Sequence, residues 1–270
     1  MLAASGVIDG KDVTTHWASI DRYAQTYTAV HWRRGERYID SGSLITTAGL
    51  TSGIDATLHF LETRKSAAIA ARVAHAFHIP KSPFVSDPHM SQYSFEATDS
   101  VFVLNLAFGW PRPRTGLTLY NGVDEFDLSA AIDVYEATDS LYTIAATTSV
   151  VSRYGLQLVP RWYPKTVPRL DRVLLDGDRS SRFAYHAAIE EYSRDHDMRT
   201  VAFAAKRLEI RSPLNLSGPA WPLRQTAVLV LSGFAGIGVL AGLTFYMEDA
   251  DVQGTFFAMT PIVLMAGSKP

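Results

Sequence analysis

The feature that most constrains the fold of this chain is the alternation of strand-like and helix-like segments along most of its length. Residues 142–147 are typical of a strand, whereas residues 66–77 place Ile69, Val73 and Phe77 on one apolar helix face. Strands that are separated by helices favour an α/β fold, because the helix carries the chain back so that the next strand pairs in parallel. The sequence therefore predicts an α/β chain with a mainly parallel sheet.

Several other elements follow from local patterns. An Asp-Ser-Gly turn inside residues 38–47 predicts a strand, a turn and a second strand, and residues 150–160 alternate like a short hairpin. A helix is expected over residues 54–63, and the apolar residues 101–108 are expected to form a strand. The intervening stretch 80–100 is polar and contains three prolines, which indicates a boundary or a crossover.

The C-terminal part of the chain contains a run of 22 residues without a charged side chain, Thr226–Met247. About 20 apolar residues are enough to span a bilayer, and the small-xxx-small pair Gly238 and Gly242 is common in membrane helices. Basic residues dominate before this run and acidic residues follow it. The run is therefore predicted to be a single transmembrane helix with residues 1–224 in the cytoplasm, and the alternative is a buried helix of a soluble core.

Composition excludes several kinds of chemistry. The chain has no cysteine, so it can supply neither a disulfide scaffold, nor a Cys-based zinc site, nor a thiolate nucleophile. Lys and Arg number 25 against 27 Asp and Glu, and no helix-turn-helix is identifiable, so direct nucleic-acid binding is not expected. No glycine-rich phosphate loop follows a predicted strand, and no cofactor is expected.

Two segments near the start carry a family resemblance. Leu2–Trp17 (LAASGVIDGKDVTTHW) and Ile45–His59 (ITTAGLTSGIDATLH) resemble the stretch after the nucleophile elbow and the second signature of the ThiJ/PfpI superfamily. That superfamily has the class I glutamine amidotransferase-like fold, and the resemblance is to its branch of isonitrile hydratases and sensor domains of AraC-type, GlxA-like regulators. Residues 1–80 would then be the C-terminal half of such a domain, with preceding sequence missing.

A second set of segments resembles the opposite half of the same family. These segments are Leu119–Leu128, Ser152–Pro160 and Val167–Asp171. They identify residues 115–205 as the N-terminal half of a second, degenerate domain, with residues 81–114 as a linker or crossover. Either two incomplete domains follow each other, or the halves pair as one permuted domain. The resemblance implies a flavodoxin-like three-layer sandwich with a mainly parallel sheet, incomplete in this chain.

The resemblance also identifies three candidate catalytic residues. His16, in the Thr-Thr-His-Trp motif, matches the histidine near the elbow, and Asp127, with Glu125 beside it, matches the carboxylate that hydrogen-bonds the family cysteine. Because that cysteine is absent, all three are expected to be vestigial, and no confident catalytic residue is assigned. His16 is then expected to be an inert hydrogen-bonded residue and Asp127 a helix N-cap, while Asp55 is expected to cap or charge the first turn of its helix.

Four histidines raise the question of a metal: His59, His75, His78 and His89. Their spacing does not place three ligands on one face, so no metal site is expected. The function predicted is a membrane-anchored, non-catalytic sensor or regulatory module linked to transcription regulation. The alternative is a hydrolase or lyase, similar to isonitrile hydratases, whose cysteine lies in a missing N-terminal segment. The resemblance implies an unidentified small-molecule ligand and a homodimer.

Overall fold

The computed structural model of the chain describes residues 2–175, 182–211 and 216–249. Within these residues the fold is α/β, as the alternation predicts. The helices are α1 Trp17–Thr26, α2 Leu50–Arg64, α3 Ala67–Ala76, α4 Val101–Phe108, α5 Glu125–Tyr135, α6 Ala184–Tyr192, α7 Met198–Arg207 and α8 Leu223–Asp249. The strands are β1 Asp12–Val13, β2 His31–Trp32, β3 Tyr38–Asp40, β4 Ile45–Thr47, β5 Arg114–Thr118, β6 Ser140–Ile144, β7 Val150–Val151, β8 Gln157–Leu158 and β9 Arg172–Leu174.

A three-stranded parallel sheet organises the larger core. Strand β5 is central and pairs with β6 on one side and β9 on the other, with Thr115 opposite both Leu141 and Arg172. Helices α5 and α6 pack against each other, and α6 packs against α7. Apolar side chains of the sheet and of these helices, including Leu117, Val134 and Ile189, are completely buried between them. Burial of this apolar surface is the main favourable contribution to folding.

The remaining strands form three separate two-stranded sheets. Strands β1 and β2 pair in parallel, whereas β3–β4 and β7–β8 are antiparallel. The prediction of one mainly parallel sheet in a three-layer sandwich is therefore wrong, because the sheets are small and mixed. The physical reason is the short connections within 38–47 and 150–158, since a tight turn can join only antiparallel neighbours. Among the described strands, no ladder joins residues 12–47 to residues 114–174.

Local patterns predicted most elements correctly and one incorrectly. The 38–47 hairpin and the helices near 54–63 and 66–77 are present, and the Ser66 hydroxyl caps α3 by accepting from the Ile69 N–H. Residues 101–108, however, form helix α4 and not a strand. A short run that is apolar on all sides has no diagnostic period, and here contacts with α7 decide its conformation. The Asn105 amide donates to the Thr200 hydroxyl at 2.7 Å.

The charge-free run near the C terminus is helical and belongs to α8. In the part of the chain that the structure describes, however, no helix has both the length and the apolar character needed to cross a membrane. The predictions of a transmembrane helix at 226–247 and of a single-pass membrane localisation with residues 1–224 in the cytoplasm are therefore wrong. Absence of charge is a weaker criterion than sustained apolar character, because small residues add little apolar surface. Such residues interrupt the run at Ser232, Gly233, Gly236 and Gly238.

The packing of α6 on α5 gives a direct test of the core. Ile189 is fully buried, so Ile189→Ala is expected to lower the free energy of unfolding by about 2–5 kcal/mol. Val159 is 70% exposed, and Val159→Ala should change it by less than about 0.5 kcal/mol. Urea unfolding followed by circular dichroism measures both values, and equal costs for the two variants would contradict this description of the core.

Candidate functional site

A cavity of about 460 Å³ lies where residues 37–55 meet residues 183–211. Its apolar wall includes Ile54, Ile79 and Phe183, and its polar lining includes Arg37, Asp55, His186, Glu209 and Arg211. This volume lies within the range of about 300–1,000 Å³ that is usual for small-molecule sites. The combination of an apolar wall with a few polar groups is also typical of small-molecule sites.

The centre of the polar lining is a buried ion pair. The guanidinium of Arg37, which is only 3% exposed, donates through Nε to Asp55 Oδ2 at 2.6 Å. Its two other nitrogens donate to the Thr51 hydroxyl at 3.0 Å and to the main-chain oxygen of Glu209 at 3.1 Å. The plane of the guanidinium also lies over the Phe84 ring, 4.7 Å from its centroid. The cation is therefore compensated by charge, hydrogen bonds and a ring face, as a buried charge requires.

This arrangement corrects the expected role of Asp55. Helix α2 begins at Leu50, so Asp55 lies in the second turn and not at the N-terminal end. Its side chain neutralises Arg37 and does not cap the helix. The sequence signal that could have indicated this is a charged residue between small and apolar neighbours, in Gly53-Ile54-Asp55-Ala56.

Glu209 is fully buried and has a left-handed backbone conformation, with φ of 57°. One carboxylate oxygen, Oε2, accepts from the Gly49 N–H at 2.8 Å and from the Ser52 hydroxyl. A Cβ at position 49 would lie 2.6 Å from Glu209 Cδ, so a larger residue there would displace the Glu209 side chain. Glu209 is a non-glycine residue with a left-handed backbone, a conformation that costs on the order of 1–3 kcal/mol. The contacts around Glu209 must therefore hold it in this conformation.

Three buried polar atoms on residues that line the cavity have no hydrogen-bond partner: Glu209 Oε1, His186 Nε2 and Arg211 Nε. Burial lowers the pKa of His186, so its ring is neutral near pH 7. Buried polar groups are paired in the great majority of cases, and each unpaired one needs an explanation such as a bound molecule. The cavity therefore contains both the space for a ligand and polar atoms that a ligand could satisfy.

His16 has a structural environment in this fold. Its Nδ1 accepts from the Ala18 N–H at 3.3 Å, which makes it the N-cap of α1, and its Nε2 donates to the main-chain oxygen of Arg207 at 2.9 Å. Both ring nitrogens are thus occupied by backbone groups. The Trp17 indole likewise donates to the main-chain oxygen of Lys206 at 3.3 Å. The Thr-Thr-His-Trp motif holds the end of α7.

Glu125 and Asp127 lie in the first turn of α5. Asp127 is not the N-cap, because Asp124 takes that place and accepts from the Phe126 N–H at 2.8 Å. Glu125 Oε1 accepts from the Ser152 hydroxyl and from the Tyr154 N–H at 2.9 Å. Burial disfavours the charged form, but these hydrogen bonds outweigh it and lower the pKa of Glu125.

The structure does not bring the three candidate residues together. His16 is bonded to Arg207, whose guanidinium reaches Glu136 at the C-terminal end of α5 at 2.7 Å. Glu125 is at the N-terminal end of the same helix, roughly 16 Å along the axis from Glu136 at about 1.5 Å per residue. General acid–base chemistry needs groups within hydrogen-bond reach of one reacting atom. His16 and the two carboxylates therefore do not form one catalytic centre.

The histidines considered for a metal also lie in separate places. His59 is near Asp40 at 3.3 Å, and His89 is near Glu36 at 2.7 Å. His75 and His78 are neighbours, with ring centroids 6.5 Å apart. Within residues 2–175, 182–211 and 216–249, no three histidine or acidic side chains are placed to share a metal ion.

A second polar cluster was not indicated by the sequence. The buried Asp139 carboxylate accepts from the Thr138 hydroxyl at 2.9 Å and the Thr115 hydroxyl at 2.5 Å, and it lies 3.5 Å from His196 Nε2. Burial favours the neutral acid, but hydrogen bonds from His196 and Thr115 and nearby positive charge lower the pKa of Asp139. This cluster joins the start of β6 to the segment between α6 and α7 and has a structural role.

Comparison with known proteins gives one short similarity. No protein-family model matches the sequence. The HTH-type transcriptional regulator CdhR of Pseudomonas aeruginosa is 32% identical to this chain over 77 residues, which are 28% of this chain and 23% of the regulator. The chain thus matches about a quarter of that regulator's length. The similarity supports a link to transcription regulation and covers too little of either protein to show the ThiJ/PfpI superfamily.

The buried ion pair predicts a large difference between two arginine variants. Arg37→Met leaves Asp55 buried without a compensating cation and is expected to lower the free energy of unfolding by about 3–5 kcal/mol. Arg33→Met removes an exposed pair with Asp12 and should cost much less than Arg37→Met. The double variant R37M/D55M should recover part of the loss. Urea unfolding provides the three values, and an R37M cost no larger than that of R33M would contradict the assignment.

The lowered pKa of Glu125 predicts a pH effect. Because the folded-state pKa is below the unfolded-state value, the contribution to stability is present at neutral pH and is lost as the pH falls through the folded-state pKa. Ser152→Ala removes a donor, so the pKa of Glu125 should rise and less stability should be lost between pH 7 and pH 3. Carboxyl-carbon NMR and urea unfolding at several pH values measure both effects. Ser129→Ala, at an exposed position on α5, should leave the profile unchanged.

Proposed function

We propose that this chain is a non-catalytic sensor module of ThiJ/PfpI type that binds a small molecule in the Arg37–Glu209 cavity and acts in transcription regulation. The observation that carries the proposal is the cavity itself, in which three buried polar atoms lack partners. The candidate catalytic residues lie elsewhere, with His16 apart from Glu125 and Asp127. The similarity to a transcriptional regulator over 77 residues supports the regulatory part.

In this proposal, residues 1–80 and 115–205 are the C-terminal and N-terminal halves of one permuted domain, with residues 81–114 as the crossover. Contacts between distant parts of the chain support this pairing. The centroid of the Phe77 ring lies 5.5 Å from that of Phe126 and 5.4 Å from that of Tyr154. These contacts between the halves are made by side chains, and no described strand ladder joins the halves.

A ligand at this position could transmit a signal because the cavity lies where the two halves meet. Its polar lining includes Glu209, whose carboxylate accepts from Gly49 and Ser52 at the start of α2. A molecule that bonds to Glu209 or His186 would favour one arrangement of the contact between Glu209 and α2 over another. The size of this shift is set by the difference between the ligand's affinities for the two arrangements. A partner that contacts both halves would then detect the ligand.

The proposal is tested by a binding screen with two matched variants. Thermal unfolding of the full chain is measured with a panel of amino acids, amines, organic acids and sugars, and a ligand present at about 100 times its Kd should stabilise it by about 2.7 kcal/mol. Lys81 is exposed and lines the cavity, so Lys81→Trp should weaken binding at least tenfold. Lys65→Trp, exposed at the end of α2, should bind normally.

Two further measurements separate a sensor from an enzyme. Each compound that binds, together with isonitriles and glyoxals, is incubated with the chain and followed by NMR, and no turnover is expected. Transcript levels in cells expressing the wild-type chain should respond to the ligand, whereas those in cells expressing Lys81→Trp should not. Turnover that is lost in His16→Ala, or a full panel without any binding, would contradict the proposed function.

A further inference from the structure

The charge balance around Glu209 indicates which chemical class of ligand the cavity binds. Within the part of the chain that the structure describes, the carboxylate of this fully buried residue accepts hydrogen bonds only from neutral groups, the Gly49 N–H and the Ser52 hydroxyl, both at Oε2. The second oxygen, Oε1, has no partner. A buried carboxylate without a compensating cation is one of the least favourable arrangements in a protein interior.

The two arginines that line the cavity make their side-chain hydrogen bonds to groups other than the Glu209 carboxylate. Arg37 pairs with Asp55 and reaches only the main-chain oxygen of Glu209. Arg211 donates through both terminal nitrogens to Ser91. Among the residues that the structure describes, no Lys, Arg or His forms a salt bridge with the Glu209 carboxylate. A bound cation with N–H donors would give this carboxyl group the direct partner that the described residues do not supply.

The position of Glu209 is held firmly enough to serve as a ligand group. The Arg37 guanidinium and the Thr51 hydroxyl both donate to the main-chain oxygen of Glu209 and restrain its backbone. The Glu209 side chain lies so close to Gly49 that no space is left for a Cβ at position 49. The apolar residues Ile54, Ile79 and Phe183 line the same cavity. A rigid acceptor beside an apolar wall suits a molecule with a hydrogen-bonding cationic end and a short hydrocarbon body.

We propose that the cavity binds a primary amine or guanidino compound with a short apolar chain, whose N–H groups donate to Glu209 Oε1. This inference rests on the proposed function, because it names the ligand class of the same cavity. The nitrogen must carry hydrogen atoms, since the unpaired oxygen requires a donor as well as a charge. The carbon chain packs against the isoleucine and phenylalanine side chains.

The test uses five probes that share a four-carbon chain: butylamine, butylguanidine, butyltrimethylammonium, butyrate and butanol. Isothermal titration calorimetry with the full wild-type chain should give saturable binding of the first two. Butyltrimethylammonium keeps the charge and lacks the N–H donors, so it should bind at least tenfold more weakly. Equal affinity for the trimethylated compound would overturn the role of the N–H donors.

Two glutamate variants test the carboxylate itself. Glu209→Gln keeps an acceptor oxygen but removes the charge, and it should weaken binding of butylamine at least tenfold. Glu62→Gln, at an exposed position on α2, should have no effect. If Glu209→Gln does not fold, the probe series on the wild-type chain still decides between the outcomes. Unchanged amine affinity in a folded Glu209→Gln protein would overturn the inference.

The outcomes also distinguish the inference from the proposed function. If butyrate or butanol binds, if Lys81→Trp abolishes that binding and if the amines do not bind, the ligand class is wrong and the sensor proposal stands. If neither the probes nor the screening panel binds, both are wrong. If the amines bind, and if Lys81→Trp and Glu209→Gln each weaken that binding, the sensor proposal and the ligand class are both supported.

Discussion

The guanidinium of Arg37 is almost completely removed from solvent, and the organisation of the chain depends on how that charge is compensated. Asp55 supplies the opposite charge from α2, and Thr51 supplies a hydroxyl from the same helix. Glu209 supplies a main-chain oxygen from a position 172 residues further along the chain than Arg37. A buried charge that lost one of these partners would be strongly destabilising. The hydrogen bond from Arg37 to the Glu209 main chain therefore connects the early and late parts of the chain, which no described strand ladder joins.

The same contact explains why the cavity is polar at its base. The main chain around Glu209 is needed to compensate Arg37, so its side chain is directed to α2, where Gly49 and Ser52 satisfy only one of its oxygens. This packing leaves the second Glu209 oxygen without a partner. By contrast, the residues expected from the catalytic chemistry of the ThiJ/PfpI superfamily have structural roles, since His16 caps α1 and Glu125 accepts from the Ser152 hydroxyl and the Tyr154 N–H.

The sequence predicts local elements well where a period or a turn is distinct. Ser66 before an apolar helix face and Asp-Ser-Gly between two strands were sufficient for α3 and the β3–β4 hairpin. Residues 101–108 have no period, and their conformation depends on contacts with α7 that a local pattern does not contain. The charge-free run correctly predicts a helix and incorrectly predicts a membrane crossing.

The candidate site could not be predicted in the same way, because its residues are distant in the sequence. The sequence pattern places Asp55 at the start of its helix, because the pattern does not show that α2 begins at Leu50. Arg37 and Glu209 resemble ordinary surface residues when only their neighbours are considered. Their burial depends on tertiary packing, and so does the cavity. No periodicity or motif spacing carries that information.

The separation of 172 residues between Arg37 and Glu209 has a consequence for synthesis in the cell. At about 5–20 residues per second, a ribosome reaches Glu209 roughly 9–34 s after it has added Arg37. Throughout that interval the hairpin and α2 lack the main-chain acceptor that completes the burial of the guanidinium, so this part of the nascent chain stays hydrated. The burial of the Arg37 guanidinium is therefore completed only after Glu209 has been synthesised.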